Sequence, residues 1–143
     1  MATLQEKRVN FNSKMTVSNT GGNLSTDAGL ILVKEFMDSI SFTKLAKQLL
    51  TFNEDRRYWI HDNISVLEQL LFQIVAGYPA DSSANILRED PIFRLVLDKD
   101  ALASQSSLSR FWDRVNEETI ARFQVLNQAL IDKFRLERNA TEM

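Results

Sequence analysis

The sequence predicts a mainly α-helical fold: a multi-helix domain with a short N-terminal β strand or hairpin and a loose helix-turn-helix. Three observations lead there. From residue 26 onward apolar residues recur three and four apart, the spacing that lines one face of a helix. Period-two alternation is found over residues 8–18. Residues that begin or stop helices separate the apolar segments, among them Asp62, Gly77 with Pro79, Pro91, Ser104 and Asn116.

Taken in order, Val9, Phe11, Met15 and Val17 alternate with polar residues as in a half-buried strand, and Asn12-Ser13-Lys14 can fold that strand into a hairpin. Asn19-Thr20-Gly21-Gly22-Asn23 reads as a turn, because it lacks the Lys-Ser/Thr of a phosphate loop. Thr26 or Asp27 caps a helix reaching residue 38, with Leu30, Val33 and Met37 inward. Residues 41–50 give a second helix that buries Phe42, Leu45, Ala46 and Leu49. After a polar and aromatic connection, Asp62 or Asn63 caps the most apolar helix, residues 64–76. Its Leu67, Leu70, Leu71, Ile74 and Val75 cover one side, Ile64 and Phe72 extend the apolar surface around it, and so rich a helix is expected at the centre. Gly77 and Tyr78-Pro79 end it. Short helices follow over residues 81–89, with Ala84 and Leu87 inward, and over residues 92–97, with Pro91 at the first position and Ile92, Leu95 and Val96 inward.

The next helix follows Ser104. Leu108, Phe111, Trp112 and Val115 form its apolar face, while Gln105, Ser106, Ser109, Arg110 and Arg114 lie on or near the other. Small hydroxyl residues let a helix backbone come close to DNA, Gln pairs with adenine, and Arg pairs with guanine or phosphate. The plainer alternative is a capped surface helix whose serines contact water. Arg56 and Arg57, in the polar connection, are further phosphate-contact candidates. The last helix starts at Asn116-Glu117-Glu118 and places Ile120, Phe123, Leu130 and Phe134 at three-four spacing around Asn127, so residues 117–136 are a candidate for self-association. Three segments result: a β element and Gly-Gly turn over 1–23, a helical domain over 24–115 with the candidate helix-turn-helix at 92–115, and a long helix over 116–143.

Composition restricts the function classes. In 143 residues, 44% are hydrophobic and 25% charged, values of an ordinary globular domain. There is no cysteine, which removes disulfides and thiolate metal sites, and the single histidine, His61, has no second ligand near it in sequence. No signal-like segment opens the chain, and no apolar run of about 18 residues would span a bilayer, so the expected location is cytoplasmic, without a membrane or small-molecule partner. The formal net charge is −2, where DNA-binding domains are commonly basic. A phosphate-binding surface must therefore be a local patch.

Five phrases stand in order: Ser18-Asn19-Thr20-Gly21-Gly22-Asn23-Leu24-Ser25-Thr26-Asp27-Ala28-Gly29-Leu30, Arg56-Arg57-Tyr58, Gln73-Ile74-Val75-Ala76-Gly77-Tyr78, Asp90-Pro91, and Leu102-Ala103-Ser104-Gln105-Ser106-Ser107-Leu108-Ser109-Arg110-Phe111. With this spacing the chain resembles the N-terminal portion of bacterial insertion-sequence transposases of the thirteen-eighty type, in the DDE superfamily (domain group 1). The resemblance implies DNA transposition and recombination, with binding to transposon terminal repeats, and it favours the functional reading of the serine-rich helix. It also places the first catalytic aspartate on a ribonuclease-H-like strand following a segment like 138–143. None of Asp55, Asp62, Asp90 and Asp100 matches a catalytic position of that family. The expectation is a chain with no catalytic residue, cofactor or metal of its own, inert alone, with divalent metal belonging to the catalytic domain. The rival expectation is a dimerisation module that leaves DNA to other surfaces.

Overall fold

The computed structural model describes residues 7–12, 14, 16, 17 and 27–142. Seven helices are present among them: α1 (Leu30–Ser39), α2 (Phe42–Leu49), α3 (Asn63–Val75), α4 (Ser83–Leu87), α5 (Pro91–Leu97), α6 (Gln105–Asp113) and α7 (Glu117–Glu142). The mainly helical expectation holds. The expected strand or hairpin is not established: what is described is a two-residue antiparallel pairing, β1 (Lys7–Arg8) with β2 (Thr16–Val17). So short a pairing is not a stable element by itself. Val9 is nevertheless buried, and Glu35 accepts the backbone N–H groups of Asn10 and Phe11. The Gly21-Gly22 turn and Thr26 lie outside the described residues.

Three helix starts follow their capping chemistry, whereas α1, which is preceded by Gly29 and not capped by Asp27, and α2, α4 and α6 have no side-chain cap bond. The Asp62 carboxylate accepts the Ser65 N–H at 2.9 Å and opens α3. Asp90 accepts from Ile92 and Phe93 ahead of α5, with Pro91 in the first turn, where a missing N–H costs nothing. Asn116 accepts the Thr119 N–H at 2.9 Å and opens α7. Gly77, at φ +90°, ends α3 in the left-handed conformation that glycine adopts without strain.

Helix α3 is central, packed by α2, α5 and α6. The faces differ from the expected ones in a consistent way. Ile64, Leu67, Leu70 and Phe72 are buried as expected, but Ile74 and Val75 near the C-terminal end are exposed, while Val66 and two glutamines, Gln69 and Gln73, are buried. In α5 the fully buried residues are Phe93 and Val96. Two apolar clusters result. One joins α2, α3, α6 and α7 through Phe42, Ala46, Leu67, Leu70, Leu108, Phe111 and Leu126. The other joins α1, α3 and α5 around Leu30, Phe72, Phe93 and Val96.

The loose helix-turn-helix expected at 92–115 is not established by the arrangement around the serine-rich helix. Helix α6 packs chiefly against α3 and α4, whereas α5 packs on α1 and α3. The seven residues 98–104 separate α5 from α6, too many for the tight turn of that motif. Helix α7 packs along α2, with Thr119 and Leu126 buried and Phe123 and Leu130 half-buried. Asn127 and Ile120 lie outside this seam and are exposed.

Candidate nucleic-acid interface

The start of α6 is held from two sides. Gln69, buried on α3, donates its side-chain N–H to the Ala103 carbonyl at 2.9 Å and accepts the Ala103 N–H at 2.8 Å. This pairing satisfies two backbone groups that burial would otherwise leave unmet. From α4, Asn85 accepts the Gln105 N–H at 3.1 Å and donates to the Gln105 side chain at 3.3 Å. Ser104 occupies the cap position but makes no side-chain bond to the helix backbone; its hydroxyl lies 3.0 Å from that of Ser106 and 3.3 Å from that of Ser107. Ser109 donates back to the Gln105 carbonyl at 3.1 Å.

Gln105, Ser106, Ser109 and Arg110 are all exposed, on the face expected of them. Arg114 is not. It is only 7% exposed, and its guanidinium donates to Asn63 Oδ1 at 2.7 Å and to the Arg110 carbonyl at 2.9 Å. Burial and the neighbouring Arg56 push it below the ordinary arginine value, although a guanidinium stays charged regardless. Arg114 therefore ties α6 to the start of α3. Trp112, expected on the apolar face, is 52% exposed and lies edge-on to Phe111. Nine residues leave α6 room for a narrow buried stripe, which Leu108 and Phe111 fill.

The connection between α2 and α3 is braced by ionic contacts. Arg56 grips Glu54 through two bonds, 2.7 and 2.6 Å, and also donates to the His61 carbonyl and to Asn63. Asn63 in turn donates to Glu54 at 2.9 Å. The Arg56 guanidinium holds the Glu54 carboxyl at about 2, well below its ordinary 4.5. Arg57 is exposed and makes no ion pair among the described residues.

Between this connection and the start of α6 runs an open groove of about 430 Å³. Arg56, Arg88, Arg110 and Arg114 line it with Ser104, Ser106 and Ser107, and no carboxylate does. His61 sits in its wall, where burial, then Lys99 and Arg88, hold the imidazole below its ordinary value and favour the neutral form. Tyr58 and Ile60 form the rim. The groove thus gathers Arg56, Ser106, Arg110 and Arg114 from the expected set and leaves Arg57, Gln105 and Ser109 outside. Arg88 had not been anticipated, because it lies at the end of α4, far along the chain from the other groove residues; Tyr58 and His61 share the connection of Arg56 but carried no expected contact. Its chemistry suits a polyanion: guanidinium groups for phosphates and hydroxyls for hydrogen bonding.

The family model for "Transposase DDE domain group 1" matches residues 7–143. The chain belongs to this transposase family. Comparison with curated proteins and with solved structures gives no match. Among the described residues of this transposase chain, no three His, Asp or Glu side chains converge where they could hold a metal ion. Asp62 and Asp90 serve instead as helix caps, and Glu54 is held in an ion pair. These residues do not fit the paired cations of two-metal strand transfer, and no such step is assigned to them. No helix of the described residues is long and apolar enough to cross a membrane.

Proposed function

We propose that this chain serves DNA binding and assembly in an insertion-sequence transposase of the bacterial thirteen-eighty type, and that strand chemistry belongs to a ribonuclease-H-like core outside it. The supporting observation is the groove: four arginines and three serines without a carboxylate, in a protein whose formal net charge is −2. In an acidic molecule, a recess lined by arginines and by no carboxylate favours phosphates. In this reading Gln105, Ser106 and Ser109 approach base edges of the terminal repeats, and Arg110 and Arg88 take phosphates. Arg56 and Arg114 hold the groove in shape, and Arg57 supplies a peripheral contact. The helical domain spans 24–115, after the segment 1–23, and residues 116–143 lead from it toward the core. Function in the cytoplasm follows from the role.

The test is a mobility-shift titration with duplex DNA carrying the element's ends, repeated across salt concentrations. The expected result is binding whose salt dependence weakens by about one charge for each of Arg88→Ala and Arg110→Ala. Unaltered affinity and salt slope in the double variant would remove the groove from the function.

A second reading, a self-association module, is favoured by one specific observation. Phe36 of α1 meets Phe134 of α7 edge-on at 5.8 Å, yet both remain exposed, alongside Leu32 and Ile131. In this reading α7 completes its apolar face against a second copy. The two readings are compatible, since they use different surfaces.

A further inference from the structure

Tyr58, Trp59 and Ile60 stand together in the sequence and are 91%, 53% and 92% exposed. Three consecutive large side chains in water are an unfavourable arrangement unless something covers them. Nor is the segment loosely tethered. Arg56 is bonded to Glu54 on one side, to the His61 carbonyl and Asn63 on the other, and lies 5.6 Å over the Trp59 ring. The turn is braced, and Tyr58 and Ile60 project from it at the rim of the arginine groove.

The occupant must match both features at once: negative charge along the groove and flat apolar faces at its edge. Nucleic acid carries both, but in a duplex the base faces are covered by their neighbours. They are open only where strands are unpaired. We infer that the segment 58–60 is a stacking platform for unpaired bases, with Tyr58 against a base face, Ile60 as a wedge beside it, and the groove arginines on the flanking phosphates. This inference rests on the DNA-binding reading above and narrows it to single-stranded or frayed DNA at this one place.

The molecule carries its own reporter. It has two tryptophans, Trp59 and Trp112, so Trp112→Phe leaves Trp59 as the sole indole. Titrating this variant with oligothymidine of about fifteen nucleotides should quench Trp59 emission, and a duplex of equal length should quench it far less. Adding Tyr58→Ala should weaken oligothymidine binding by roughly 5- to 150-fold while leaving affinity for terminal-repeat duplex within about twofold. Because Tyr58 lies almost wholly in solvent, circular dichroism of that variant should match the parent. Arg110→Ala should weaken binding of both DNAs.

Equal quenching by both DNAs, or a Tyr58→Ala loss falling equally on both, would overturn the platform and leave the DNA-binding reading standing. Binding of both DNAs that ignores Tyr58→Ala and Ile60→Ala would overturn it too, and would leave the segment to a protein partner. Failure to bind either DNA would overturn the DNA-binding reading and the platform with it.

Discussion

Two faces of this molecule are built by different physics. On the groove face, positions are fixed by hydrogen bonds reaching far along the chain: Gln69 to Ala103 across 34 residues, and Arg114 to Asn63 across 51. On the face formed by α1, α2 and α7, the fixing is apolar, through Phe123, Leu126 and Leu130 against the core and Phe36 against Phe134. Directional bonds hold a surface in one geometry, which a DNA-reading face requires. Apolar packing tolerates exchange of partners, which suits a face meeting another protein surface. The separation predicts that damage to one face spares the other's function.

The harshest way to break that contrast is Gln69→Leu. The leucine fills a similar volume but leaves the buried Ala103 N–H and carbonyl unmet, at a cost of about 2–4 kcal/mol in a urea denaturation series. DNA binding should fall along with stability, because the start of α6 loses its anchor. A variant with unchanged urea midpoint would mean that water replaces the amide.

Arg110 and Arg114 sharpen the comparison within a single helix. Arg114→Ala removes donors from Asn63 and the Arg110 carbonyl and should cost about 1–3 kcal/mol of stability. Arg110→Ala, on the exposed side, should alter stability by less than about 0.5 kcal/mol while lowering DNA affinity and its salt slope. Thermal melts and mobility shifts on both proteins separate the roles. A salt slope that responds to Arg114 alone would reverse the assignment.

On the apolar face, Phe134→Ala should cost about 0.5–1.5 kcal/mol, the worth of an aromatic pair at a partly exposed site. Its informative effect lies elsewhere. If α7 mediates self-association, light scattering should report a shift toward monomer, with affinity for terminal-repeat duplex per protomer unchanged. A monomeric parent would dismiss the second reading.

What the sequence disclosed follows the same division. Local chemistry announced the helices: Asp62, Pro91 and Asn116 act within three or four residues of their own positions, so their signals survive without tertiary context. The exposed polar side of α6 was legible for that reason. Periodicity failed where several neighbours surround one helix. Helix α3 buries Gln69 because a backbone segment 34 residues away needs an amide there, and it exposes Ile74 and Val75 near its end. Arg114 differed from Arg110 in the sequence only by lying nearer the edge of the apolar face, and its partner Asn63, on another helix, gave no local sign. The groove is likewise a product of assembly: Arg56, Arg88 and Arg110 come from three segments, and only the fold sets them around one recess.

The mildest test concerns what stiffens the groove face. Glu54 has a folded-state pKa of about 2 against an ordinary 4.5, chiefly through its bonds to Arg56. A carboxyl depressed in the folded state stabilises it fully above the unfolded value. That contribution fades as pH falls from about 4.5 toward 2, because the unfolded chain takes up the proton first. Glu54 remains partly exposed, so solvent screening keeps the effect small. The melting temperature of Glu54→Gln should therefore lie slightly below the parent's near pH 6, and the gap should narrow near pH 3. The apolar face supplies the contrast, because Phe134→Ala carries no titrating group and its deficit should stay constant over the same range. Equal pH profiles for parent and Glu54→Gln would show that the Arg56 clasp contributes geometry without measurable stability.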